Sequence, residues 1–198
     1  MNLNNYLTET DYIDFSSDNI RSLSEKLFPD ILDNGKKIEN AYRFVEKEIP
    51  HSSDIGADIL TFKASDVLKN KTGICYAKSN LFAALLRGQG IPAGFCYQYL
   101  TLNDDNADDG YGVHCYNAVY YGGHFIKLDT RGNRQAVFSL TEPKLAFPVR
   151  KELGEYDIPG IFAYQDSDVI KTFARYKTRK EFFAGIPQKI IDKPEINL

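Results

Sequence analysis

Residues 71–92, Lys-Thr-Gly-Ile-Cys-Tyr-Ala-Lys-Ser-Asn-Leu-Phe-Ala-Ala-Leu-Leu-Arg-Gly-Gln-Gly-Ile-Pro, constrain this chain more than any other stretch. Thr72 and Gly73 are turn and cap residues. Ala77, Leu81, Ala84 and Leu85 recur at the spacing of an apolar helix face. Gly88 and Gly90 end the helix, and Pro92 prevents its restart. The nearly unbroken apolar run from Leu81 to Leu86 predicts a central, buried helix whose first turn carries Cys75. Unpaired N–H groups and the positive end of the dipole favour an anion there, so a thiol in that position ionises more readily. Gly73 allows another segment to approach the backbone closely. Taken alone, Cys75 reads first as a buried structural thiol. A histidine and a carboxylate placed to serve it would change that reading.

Such a pair lies downstream. Val113-His114-Cys115-Tyr116-Asn117-Ala118-Val119-Tyr120-Tyr121 is followed by Gly122-Gly123 and then His124-Phe125-Ile126-Lys127-Leu128-Asp129-Thr130. Aromatic and β-branched runs around a Gly-Gly pair predict a hairpin. A two-residue turn pairs Tyr121 with His124 and so places Asp129 opposite Tyr116. His114 and Asp129 then become diagonal neighbours on one face, about 7–8 Å apart at the backbone. An aspartate at that range can fix an imidazole tautomer and steady its positive charge. Val119, Ile126 and Leu128 take the opposite face, as a one-sided core requires. By itself, His114 could equally be an ordinary strand histidine.

The order of Cys at a helix start, then His, then Asp on a hairpin resembles the transglutaminase-like superfamily. The matching pieces are Thr72 to Gly94, the His114 strand, and Gly122 to Thr130, within a resemblance spanning roughly residues 35–135. The resemblance implies a papain-like core with Cys75 as nucleophile, His114 as base and Asp129 as orienter. The chain departs from the pattern in having Tyr116 and Phe125 where members often carry Trp, and Thr130-Arg131 where a proline often follows. The resemblance also points to His51, in the polar loop His51-Ser52-Ser53-Asp54-Ile55-Gly56, as a side-chain oxyanion donor beside the Cys75 N–H. On turn composition alone that loop reads as solvated. Gln98 and Tyr76 are further oxyanion or substrate candidates.

The chain has 198 residues, which suits one domain over 1–198, with a core at about 35–140 and a C-terminal extension over 141–198. Hydrophobic residues make up 43%, enough for a sizeable core. A net charge of −3 and a pI near 5.7 argue against nucleic acid or an acidic membrane surface as partner. The first residues lack a basic start and an apolar stretch, so no leader is expected, and no run has the length to span a bilayer. Cys75, Cys96 and Cys115 are expected as free thiols in a reducing, cytoplasmic setting. No Cys or His spacing suits zinc. Asp104, Asn106 and Asp108 begin a calcium-loop pattern that fails at Asp109 and Cys115. Neither a metal nor another cofactor is expected.

In order along the chain, helices are expected from Ser16 or Ser17 to Phe28, from Asn34 to Ile49 before Pro50, and briefly after Ser65. Ala93 to Leu102 reads as a strand with Phe95, Tyr97 and Tyr99 on one face and Cys96 and Gln98 on the other. Residues 103–110 read as an acidic loop and Val137 to Leu140 as another strand. One long helix is expected from Asp166 or Ser167 to Phe183, with Lys171, Arg175, Arg179 and Lys180 on its solvated face, and a loosely ordered tail after Pro187.

These readings combine into an α+β fold in which the Cys75 helix packs on an antiparallel sheet built from residues 93–140. The function they imply is thiol-dependent acyl transfer on a peptide or protein amide, most simply hydrolysis. The alternatives are transamidation of glutamine side chains and a non-catalytic binding domain that keeps the fold.

Overall fold

The computed structural model describes residues 2–103, 106–132 and 135–196. Four helices come first: α1 (Asp18–Leu27), α2 (Asn34–Glu48), α3 (Ala64–Asn70) and α4 (Cys75–Arg87). Asp33 caps α2 by accepting the Lys36 N–H at 2.6 Å, and the helix stops ahead of Pro50. β1 (Ala93–Asn103), β2 (Asn106–Tyr121), β3 (His124–Leu128) and β4 (Tyr156–Phe162) form one antiparallel sheet in the order β3-β2-β1-β4. The helices α5 (Ser167–Arg175) and α6 (Arg179–Ala184) follow.

The hairpin register is the one expected, with Tyr121 opposite His124 and Asn117 opposite Leu128. Alternation along the strands sends Phe95, Tyr97, Val113, Val119, Ile126 and Leu128 into the main core. Cys96, Tyr116 and Ala118 face a smaller apolar cluster with Tyr6 and Ile161. Helix α4 is buried on every side from Tyr76 to Arg87. Its buried polar ends are satisfied. Arg87 donates to the carbonyls of Ala93, Thr8 and Ala163, at 2.7 Å and 2.6 Å for the first two.

The second half of the chain differs from expectation. Residues 137–140 form no strand, and the fourth strand is β4, which contains Pro159 and Gly160. β4 is an edge strand, where a proline removes no ladder bond the sheet needs. The expected long C-terminal helix breaks at Tyr176, whose backbone is extended, and restarts at Thr178 in a reciprocal capping box with Glu181. The tail past Pro187 is docked. Ile196 pairs with Ile161, the Glu195 carboxylate accepts from the Ala163 N–H at 2.7 Å, and Asp166 accepts from the N–H groups of Ile191 and Asp192 at 2.8 Å. The acidic loop lies partly outside the described residues, and β2 already begins at Asn106.

Candidate active site

The loop before α4 delivers Cys75 as the first helical residue, after an extended Ile74. Gly73 is required there. A Cβ at that position would lie 2.8 Å from the Ala77 Cβ and 3.1 Å from the Thr61 hydroxyl. The bare backbone instead pairs in parallel with His51, and Ser52 N–H donates to the Gly73 carbonyl at 3.2 Å. The Thr72 hydroxyl donates to the Pro50 carbonyl at 2.9 Å. Residues 50–52 are thereby stitched along 72–73, and His51 and Cys75 line one cleft of about 470 Å³ together with His114.

Asp129 stands just past the end of β3. His114 Nε2–H donates to its Oδ2 at 2.9 Å. Oδ2 also accepts the Ala146 N–H at 3.1 Å, and Oδ1 accepts the Arg131 N–H at 2.9 Å. The Tyr42 hydroxyl holds the Asp129 backbone carbonyl at 2.9 Å. Burial opposes ionisation of Asp129, but the charge and hydrogen bond of His114 with these two N–H donors outweigh it and hold the carboxyl below its usual range. Burial likewise disfavours the His114 cation. The Asp129 charge and hydrogen bond, then the nearby Cys75, reverse that effect and push His114 up to about 10. Asp129 occupies Nε2, which leaves Nδ1 as the ring atom that can serve Cys75. Cys75, partly exposed, and His114 line the same cleft.

The helix and the histidine meet through an edge of the sheet. His114 shares its strand face with Tyr116, away from the residues that pack on the core. β3, however, pairs no further along β2 than Asn117. The carbonyls of Val113 and Cys115, which a longer β3 would have engaged, accept the hydroxyls of Tyr76 and Ser79 from α4. The short third strand thus leaves a gap in which the start of α4 sits beside His114.

His51 is buried, and its Nδ1 accepts the Ser53 N–H at 3.3 Å, which puts the ring proton on Nε2. Burial first, then the nearby Arg131 charge, lower its pKa to about 3, so the ring is neutral and a donor. Arg131 forms a two-pronged ion pair with Asp54, 2.7 Å on each arm, and ties the loop after Asp129 to the loop after His51. Arg179 grips the same loop from α6, donating to the Ala57 carbonyl at 2.7 Å and to the Ser53 hydroxyl at 3.3 Å. The loop that composition described as solvated is buried at His51 and Ser52 and exposed from Ser53 to Gly56.

Gln98 lies directly across the ladder from His114, yet its amide N–H groups go to the Phe147 carbonyl at 3.2 Å and Asp157 Oδ1 at 3.0 Å. It does not line the cleft. Tyr76 is fully buried, with its hydroxyl on Val113, so it contacts no substrate and braces the site from behind. Arg131, Phe147 and Lys78 went unnoticed in the sequence. Lys78 is 1% exposed, bonded to the Ile49 carbonyl at the end of α2, with burial lowering its pKa to about 8. Its signal was a lysine inside an otherwise buried helix.

A thiol at a helix start, sharing a cleft with a hydrogen-bonded His–Asp pair on an antiparallel sheet, defines the papain-like class of architecture. The chain belongs to the transglutaminase-like superfamily, a family of thiol-dependent enzymes, because the model of that superfamily's core matches residues 21–130, more than half of the chain. A crystal structure from Cytophaga hutchinsonii, described as a candidate cysteine protease, is similar at 23% identity and a TM-score of 0.52, over 65% of this chain and 42% of that one. A solved transglutaminase matches at 19% identity and a TM-score of 0.42, over 70% of this chain and 37% of that one. The chain spans less than half the length of these structures. No curated protein matches it. Among the described residues, no helix is long and apolar enough to cross a membrane, and no cluster of His, Cys, Asp and Glu could hold a metal ion.

Proposed function

We propose that the protein is a cysteine hydrolase that cleaves amide or peptide bonds with Cys75, His114 and Asp129 as its triad. The observation that carries this reading is that Cys75, the first residue of its helix, lines one cleft with His114, whose ring is hydrogen-bonded to the buried Asp129. The sulfur of Cys75 attacks the substrate carbonyl while its proton resides on His114. The oxyanion is held by the Cys75 backbone N–H, which has no acceptor within the helix, and by His51 Nε2–H. His114 protonates the leaving amine as the C–N bond breaks, leaving a thioester. Water then loses a proton to His114 and attacks the thioester, and the returning proton releases the Cys75 thiol with a free carboxylic acid. Asp129 holds the ring in orientation throughout and stays ionised.

A library of fluorogenic peptide amides, assayed with and without an added primary amine, tests the reading. Release of the amine leaving group with gain of a carboxylate, absent in Cys75→Ala, is expected. Incorporation of the added amine at a glutamine side chain would make the protein a transamidase. No turnover, together with a Cys75 as unreactive as a buried thiol, would leave a binding role.

A further inference from the structure

The cleft lining is mixed. Its polar part comes from Cys75, His114, His51 and Arg131 and also from Thr101, Gln135, Arg150 and Glu155, while its apolar part is Leu100, Leu102, Phe147, Pro148, Phe183 and Ile186. Phe147 joins the two halves, because its ring meets the His114 imidazole edge-to-face with centroids 5.0 Å apart. Gly112 forms part of the lining. A Cβ there would lie 2.7 Å from Ile186 Cδ1 and 2.9 Å from Leu102 Cδ2, so the missing side chain lets these two close over the strand. The charges among the described lining residues are matched within the protein. Arg131 is paired with Asp54. Glu155, 3% exposed, accepts from Arg150 Nη2 at 2.6 Å and Nε at 3.2 Å, and from the Thr101 hydroxyl at 2.8 Å. A charged substrate group entering here would lose its water and compete with these existing pairs, whereas an apolar one loses only water.

We infer that this wall is a specificity subsite for a large apolar side chain, leucine- or phenylalanine-like, on the residue next to the scissile amide. The inference rests on the proposed triad. Leu100 and Leu102 lie within residues 21–130 that match the superfamily core, whereas Phe147, Pro148, Phe183 and Ile186 lie beyond them.

Acetyl-aminoacyl chloromethyl ketones with Leu, Phe, Asp or Lys side chains test it without any need for turnover. Each alkylates Cys75 as the C–Cl bond breaks, and its rate is divided by that of iodoacetamide at the same cysteine. The Leu and Phe probes are expected to exceed the Asp and Lys probes by about tenfold or more. Ile186→Asp and, at the more exposed wall position, Leu102→Asp should each shrink that margin and raise the Lys probe above the Asp probe. Equal ratios for all four probes, or the fastest ratio with a charged one, overturn the subsite and leave the triad standing. A Cys75 that iodoacetamide fails to modify in the folded protein overturns the triad, and the subsite with it.

Discussion

The phenol of Tyr76 donates to the carbonyl of Val113. One of these residues follows Cys75 and the other precedes His114, so this hydrogen bond, with that of Ser79 on the Cys115 carbonyl, ties helix to strand beside the thiol and the imidazole. Tyr76 also packs edge-on against Phe173 and Phe182, which hold the ring in place. Tyr76→Phe keeps that packing and strands a carbonyl. We expect about 1–2 kcal/mol of lost stability in urea melts, and slower alkylation of Cys75 at temperatures where the variant is fully folded. Unchanged alkylation would show that packing alone sets the spacing.

The three cysteines should separate cleanly. Cys75 is partly exposed, while Cys96 and Cys115 are buried free thiols. Burial pushes Cys96 up to about 12 and raises Cys115 as well. Iodoacetamide on the native protein, mapped by mass spectrometry, should label Cys75 alone. Cys75→Ala should abolish turnover with the fold intact, whereas Cys96→Ala and Cys115→Ala should keep turnover at some cost in stability. Equal loss of activity in all three would indicate misfolding.

Stability should depend on pH through two histidines of opposite sign. His114, raised from 6.5 to about 10, gives stability that is complete below pH 6.5 and is lost as pH climbs towards 10. His51, lowered from 6.5 to about 3, gives stability that is complete above pH 6.5 and is lost as pH falls towards 3. Their joint contribution therefore peaks near pH 6.5. His51→Gln should flatten the acid side of a melting-temperature profile between pH 6.5 and 4.5 and leave the alkaline side as it was. A parallel shift of the whole profile would count against this assignment.

His51 should also matter for rate. Removing one oxyanion donor costs on the order of 10²–10³ in kcat. His51→Ala is expected to fall in that range with KM little changed, since the donor acts on charge that develops in the transition state. A rise in KM at constant kcat would place His51 in ground-state binding instead.

Arg131 and Asp54 offer a test of positioning. Their side chains are 14% and 48% exposed, so solvent screens the pair and its loss should cost less than about 1 kcal/mol. The pair nonetheless links the loop after Asp129 to the loop after His51. Arg131→Gln and Asp54→Asn should each lower kcat by more than they lower stability, and the double variant should be no worse than the poorer single one. Additive losses would show that the two residues act separately.

Local pattern made half of this protein legible. The apolar spacing of α4, with Gly73 before it and Gly88 after it, placed Cys75 at a helix start. The Gly122-Gly123 turn set a hairpin register from which the pairing of His114 with Asp129 followed, because a two-residue loop and a one-sided core leave a single register. The family match rests on those same segments. The remainder depended on residues distant in the chain. β4 was hidden because Pro159 and Gly160 suit an edge strand that only the neighbouring β1 could reveal. The long C-terminal helix was a continuous pattern until Thr178 and Glu181 capped a new start, with Thr178 bridged to Ile59. Gln98 looked available until Phe147 and Asp157 took its N–H groups. The meeting of thiol and imidazole depended on how short β3 is relative to β2. Sequence periodicity reports which face of an element is buried, whereas only the packed structure decides which exposed edge another element comes to fill.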